Sequence, residues 1–336
     1  MRRTPQGLIA RVADCCMWFG RYLERGESTA RELQAASTLA LDSDLSGRGR
    51  WFPLIVVSGE YDAFRDHFGD RALDDGERVQ HYLTWDEACP VSLSRSIASA
   101  RENARSIRDV VSVDAWEVVN ELYLWLDSDE ARREFRDGRD AFYRRVRQST
   151  QLCFGLLRST MLHDTALDFI WLGMLLERVG QTARLLDVHH YLFADDERPH
   201  QVLETTVWMV LLRALSGTEP FMRAHAGRVT AAAVAGFLIG EDRFPRSLAY
   251  CVRSAHERLC AIRPPKDIDL PGGEALSRFA ALDVWVAGLA DAINVSGLDS
   301  DTLHGNLTLV VDEVAAICDT IAHELLGAKP PLVPSA

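Results

Sequence analysis

The sequence predicts an all-α protein, a large helical bundle built from two diverged copies of one helical unit around a shared core. Apolar residues recur at helical spacing, as in Val12, Phe19, Leu23, Ala30 and Leu33, while period-two alternation is scarce. Helix-breaking residues punctuate the pattern at Cys89-Pro90, Pro199, Pro264-Pro265 and Pro271-Gly272-Gly273, with Gly47-Arg48-Gly49 as a further start or stop. A window of sequence also returns 153 positions later, residues 18–33 reappearing as residues 171–186.

These signals place long helices at about 7–41, 92–110, 130–160, 163–193, 245–262, 274–293 and 301–326. Shorter ones are expected near 53–67, 76–85, 114–126, 200–215 and 229–239. The expected organisation is one domain over 1–328, with internal halves of about 7–160 and 161–326, and a disordered tail at 329–336, where Pro330, Pro331 and Pro334 forbid a helix.

With 336 residues and 47% hydrophobic content, the chain can fill a core without staples. A formal net charge of -12 opposes nucleic-acid and anionic-membrane binding, since both are polyanions. Of the 37 basic residues only Lys266 and Lys329 are lysines, so the basic complement is almost all arginine, whose fork suits carboxylate and phosphate. Seven cysteines without a CxxC pair point to reduced thiols in the cytoplasm. Asp14, Arg21 and Glu24 interrupt any N-terminal apolar run, so no export signal is expected, and no apolar stretch of about 20 residues would span a bilayer.

At 100° per residue, Phe19, Leu23, Gly26, Ala30 and Leu33 form the apolar stripe of the first repeated helix. Gly20, Glu24, Glu27 and Arg31 lie along one flank, and Trp18, Arg25 and Thr29 along the other. Adjacent Glu24 and Arg25 therefore diverge, as do Glu177 and Arg178. Packing of the two copies about a pseudo-twofold would bring Glu24 to Arg178 and Glu177 to Arg25. Such pairs either fix helix register as buried salt bridges, or line a cleft in which Glu24 and Glu177 act as acid–base groups while Arg25 and Arg178 hold an anion.

Two further anion-binding candidates stand outside the repeat. Arg101, Arg105 and Arg108 share one helical face, with Glu102 and Asp109 available to neutralise them. Phe244-Pro245-Arg246-Ser247 reads as a helix start with proline in the first helical position and Arg246 beside free backbone N–H groups. No GxGxxG, Walker loop, HExxH or GxSxG motif occurs in a suitable context. A di-iron bundle would need two Glu-x-x-His motifs, and only Asp187 with His190 comes near, so no metal site is expected; His163 and His189 read as ordinary helix histidines. Cys15 and Cys16 sit beside the apolar stripe as packing residues. The sequence leaves the cofactor unknown.

The two Glu-Arg repeats, the stretch Ala100 to Arg108, Trp116-Glu117-Val118-Val119-Asn120, His163-Asp164 and Phe244 to Ser247 together resemble the bacterial alpha-E family, from about residue 7 to 326. The resemblance implies an all-helical domain named for its Glu-Arg motif. It also implies gene neighbourhoods holding ATP-grasp amide ligases and transglutaminase-like proteins, hence a role as accessory subunit in peptide synthesis, tagging or turnover. An enzyme of that pathway acting on a carboxylate- or phosphate-bearing peptide, or a pure scaffold, are the alternatives. The sequence departs from the family pattern at Met174, opposite Arg21 in the first repeat, where the family carries arginine.

Overall fold

A computed structural model describes residues 8–42, 47–193, 201–225, 229–263, 272–296 and 300–327. All regular structure among them is helical. The first half runs α1 (Ala10–Asp42), α2 (Gly47–Ser58), α3 (Tyr61–Phe68), a 3₁₀ turn (Asp70–Asp74), α4 (Gly76–Trp85), α5 (Leu93–Ser106), α6 (Val113–Leu126), α7 (Asp129–Asp137) and α8 (Arg139–Thr160). The second runs α9 (Thr165–Phe193), α10 (Gln201–Ala214), α11 (Thr218–Ala224), α12 (Ala231–Gly240), α13 (Leu248–Ile262), α14 (Gly273–Ser296) and α15 (Ser300–Glu324). The expected tail at 329–336 and the prolines at 199, 264, 265 and 271 lie outside the described residues.

Several boundaries follow local chemistry. Asp75, Ser112, Ser128, Thr230 and Ser247 each accept a hydrogen bond from a first-turn backbone N–H of the helix they precede. Two expected helices are each a pair. The one placed at 53–67 is broken at Gly59, whose φ of 79° is a left-handed conformation that glycine adopts without a Cβ clash. The one placed at 130–160 is broken at Gly138, whose N–H closes α7 on the Glu134 carbonyl before α8 begins. The helix expected from 245 starts at Leu248. Ser247 is its N-cap, its hydroxyl accepting from the Tyr250 N–H at 3.1 Å, so Pro245 lies before the helix and not in its first turn.

Helix α1 runs through the middle of the molecule and packs against α5, α8 and, most extensively, α9. Its first half, with Phe19 and Leu23, joins one buried cluster with α9 and α12 to α15. Its second half, with Ala30, Leu33 and Ala36, joins another with α2 to α5 and α7. No described helix is long and apolar enough to cross a membrane.

Candidate functional site

The site begins with two glycines. A Cβ on Gly20 would stand 2.0 Å from the Ile170 carbonyl oxygen, and a Cβ on Gly173 2.0 Å from the Met17 carbonyl oxygen. Gly20 and Gly173 are 153 residues apart, and so are Met17 and Ile170, so the contact between α1 and α9 is reciprocal in the way a local twofold requires. Missing side chains let the backbones touch here. One turn further along, the long polar side chains of each helix cross to the other.

Arg25 donates from Nε and Nη2 to the two carboxylate oxygens of Glu177, at 2.7 and 3.0 Å. Arg178 donates in the same bidentate manner to Glu24, at 2.9 and 2.6 Å. The pairs suggested by the repeat geometry are thus formed, and each carboxylate takes a second arginine. Arg21 donates to Glu177 at 3.1 Å, and Arg246 to Glu24 at 2.9 Å. Ser28 and Gln181, also 153 residues apart, each lie 3.5 Å from the carboxylate one turn before them. Arg246 continues to Glu27 at 2.7 Å, and Glu27 is further held by Arg31 and by Gln151 at 3.1 Å. Arg31 also donates to the Ser216 hydroxyl.

Glu24, Glu27 and Glu177 are buried, at 0%, 1% and 4% exposure, which would be prohibitive for lone carboxylates. Burial by itself would raise their proton affinity. Arg25 and Arg21 outweigh it and hold Glu177 at about 2, and Arg246 and Arg31 hold Glu27 at about 2. A carboxylate this acidic, with its lone pairs directed at guanidinium groups, has little basicity at neutral pH. Five arginines (Arg21, Arg25, Arg31, Arg178 and Arg246) thus surround three carboxylates, a local positive excess inside an acidic protein.

The network is flanked by two cavities. On the Glu24 side a cleft of about 500 Å³ lies between α8, α9 and α13. Arg158, Arg178, Arg246 and Arg258 line it beside Phe154, which stacks on Trp171 with centroids 5.8 Å apart. Arg258 is paired with Asp168 at 3.0 Å. On the Glu177 side a half-open recess of about 210 Å³ meets Arg21, Arg25, Glu32, Glu177, Gln181 and Arg184.

Of the candidate residues, Glu24, Glu177, Arg25, Arg178 and Arg246 are brought together here. Arg246 arrives from the turn before α13, not from a helix N-terminus, and is fixed by its carbonyl, which accepts from Thr182 at 3.1 Å. The other candidates lie elsewhere. Arg101 donates to Asn120 and Glu102 and sits over the Tyr123 ring; Arg105 pairs with Glu102; Arg108 covers Trp116. Arg101 and Arg108 thus meet the aromatic face of α6, while Arg105 stays on its own helix. Gln151 and Ser216 join the network without any local signal. Glu27 and Arg31 were visible as flank neighbours of Glu24, one and two turns on.

All seven cysteines are free thiols, and burial pushes Cys16 up to about 12, as expected of a packing residue. Asp187 pairs with His304 at 2.8 Å, and the His190 side chain lies outside the described residues. Among the described residues no three His, Cys, Asp or Glu side chains gather as metal ligands.

No curated protein and no solved structure matches the chain. The family model of Alpha-E, a predicted alpha-helical domain with a conserved ER motif, matches residues 8–326. In this chain the two Glu-Arg pairs of the repeated window cross-link α1 and α9 at the centre of the fold, and the match spans nearly the whole sequence: the chain belongs to the Alpha-E family.

Proposed function

We propose that the chain is a helical accessory subunit of an ATP-grasp-type peptide amide-ligase system, with a transglutaminase-like protein as a further partner, and that it binds without catalysing. The observation that carries this reading is the double occupancy of each Glu-Arg carboxylate: Glu177 by Arg21 and Arg25, and Glu24 by Arg178 and Arg246. A general base needs a free lone pair and a proton affinity near the working pH. Glu177, held at about 2, has neither. The motif then serves to join α1 to α9, and its reciprocity supports descent of the two helices from one duplicated unit. The arginine-lined cleft beside it supplies a surface for an acidic partner or peptide. The ligase partnership itself rests on the resemblance to the alpha-E family.

The test is reconstitution. The purified chain is mixed with the proposed ATP-grasp-type ligase partner, and association is followed by sedimentation while ADP release and amide product are assayed. The expected result is a stoichiometric complex in which product requires the ligase's ATP site. In Glu177→Gln the chain should lose roughly 3 kcal/mol of stability, because two half-buried arginines keep no anionic partner. Absence of a complex, or product formed by the chain alone and lost in a stably folded Glu177→Gln, would overturn the reading.

A further inference from the structure

Arg31 and Arg184 occupy equivalent places in the two repeated windows, yet their surroundings differ. Arg31 is held by Glu27, one turn before it. The residue one turn before Arg184 is Gly180, so the carboxylate that the first copy supplies is missing from the second. The Arg184 guanidinium folds back over Gly180, with Nη1 3.3 Å from where a Cβ would be. The Nε of each arginine is buried with no hydrogen-bond partner, but the Nη nitrogens of Arg31 donate to Ser216 and Glu27 whereas Arg184 makes no such bond among the described residues. A desolvated guanidinium N–H without an acceptor is costly, and such groups in native proteins call for an explanation.

The surroundings supply one. Arg184 lines the recess together with Arg21 and Arg25, and the single ionised carboxylate on that wall, Glu177, is already shared by those two. Glu32, the other acid there, is pushed up to about 8 by burial, against the pull of Arg184, and stays protonated at neutral pH. The wall therefore carries three cations, one anion and a carboxylic acid able to donate a hydrogen bond. Gln181 and Thr29 add polar groups. Leu33, Leu54, Leu83 and Val91 make up the apolar part of the lining. Inorganic phosphate would leave that part without a partner. A carboxylate on a short aliphatic stem would satisfy both, its oxygens on the arginines and its carbons on the leucines.

We infer that this recess is a binding site for an aliphatic carboxylate, with Arg184 as the arginine left open to receive it. The inference stands on the lining of this recess and is independent of any ligase partner.

Calorimetric titration with N-acetyl-leucine, N-acetyl-leucinamide, isovalerate and inorganic phosphate tests it. N-acetyl-leucine should bind saturably, and the amide and phosphate at least about tenfold more weakly, since a bidentate carboxylate–arginine contact is lost or its stem is absent. Isovalerate equal to N-acetyl-leucine assigns the site to a free small acid; weaker isovalerate assigns it to a peptide end. Gly180→Glu installs the missing carboxylate next to Arg184 and should abolish binding while the protein stays folded. Arg184→Met, which keeps the stem and removes the charge, should weaken binding at least about tenfold and serves if Gly180→Glu does not fold. Failure of N-acetyl-leucine to bind overturns the inference. So does an equal or tighter affinity for the amide or phosphate, or unchanged affinity in a folded Arg184→Met.

Discussion

Arg246 does for Glu24 what Arg21 does for Glu177: it delivers the second guanidinium to a carboxylate already clamped bidentately from across the α1–α9 contact. Local twofold symmetry would place that second arginine at position 174, where this chain has Met174. Met174 is buried beside the Glu24-side cleft, with Arg178 and Arg246 on the same wall. An arginine more distant in sequence, held in the turn before α13, has taken over a role the repeated helix does not fill. The substitution costs the network no guanidinium and ties α13 to α1.

This replacement can be tested by moving the arginine back. Arg246→Ala leaves Glu24 with Arg178, and Glu27 with Arg31 and Gln151, so its cost should be about 2–3 kcal/mol, below that of removing every partner of a buried charge. Adding Met174→Arg to that variant should restore about 1–2 kcal/mol, while Met174→Arg alone should destabilise by crowding like charges. Urea unfolding of the four proteins gives the coupling. A coupling of zero means that position 174 cannot reach Glu24.

The glycine contact is the second point of weakness. In Gly173→Ala the new Cβ meets the Met17 backbone carbonyl, which cannot swing aside as a side chain would. Relief requires α1 and α9 to separate, loosening both arginine clamps. Gly173→Ala and Gly20→Ala should each lower stability by about 3 kcal/mol or more, at the upper end of overpacking penalties. Gly155→Ala, where a Cβ meets nothing within 4 Å, is the control and should be neutral or slightly stabilising. Equal melting of Gly173→Ala and Gly155→Ala would contradict the close approach.

Much of this site was readable from the repeated window. The angular divergence of Glu24 from Arg25 forced each to seek a partner on another helix, and the 153-residue offset identified the partner. The breaks at Gly59 and Gly138 were not readable, because a lone glycine in a helical pattern is tolerated as often as it terminates one. Arg246 was visible as an arginine but not as a ligand of Glu24, since the two are separated by 222 residues and no local pattern reports such a meeting. Proline at 245 suggested a first-turn position, and the Ser247 hydroxyl two residues later outcompeted it as the helix start. Arg101, Arg105 and Arg108 show the converse. A stripe of one charge looks like a ligand site until its neighbours are known, and here α6 meets Arg101 and Arg108 with Trp116, Asn120 and Tyr123 while Glu102 takes Arg105.

Acid should dismantle the clamp over a defined range. Glu27 and Glu177 fall from an ordinary 4.5 to about 2 in the folded protein. Between those values the unfolded chain binds the protons and the folded one does not, so their contribution is full above pH 4.5 and is lost as pH falls through about 2. Each group adds up to about 1.4 kcal/mol per pH unit to the slope in that window. Glu177→Gln removes one of them, and its stability should fall less steeply than the parent's between about pH 4.5 and pH 3. Parallel curves would show that Glu177 titrates alike in both states.

Glu32 works in the opposite sense. Burial raises it from 4.5 to about 8, with Glu27 reinforcing the rise and Arg184, Arg246 and Arg31 opposing it. Below pH 4.5 both states are protonated and Glu32 contributes nothing to pH dependence. From 4.5 to 8 the unfolded chain loses the proton and the folded one keeps it, so stability falls as pH rises, and above 8 the loss is complete. Glu32→Gln has no proton to lose and preserves the shape of the side chain. It should therefore match the parent near pH 4.5 and exceed it by about 2 kcal/mol at pH 8, a figure discounted for the partial exposure of Glu32 on the recess wall. Thermal melts at the two pH values check this. An advantage that is absent at pH 8, or that does not grow with pH, would mean that Glu32 is ionised in the folded protein and that the recess has one hydrogen-bond donor fewer.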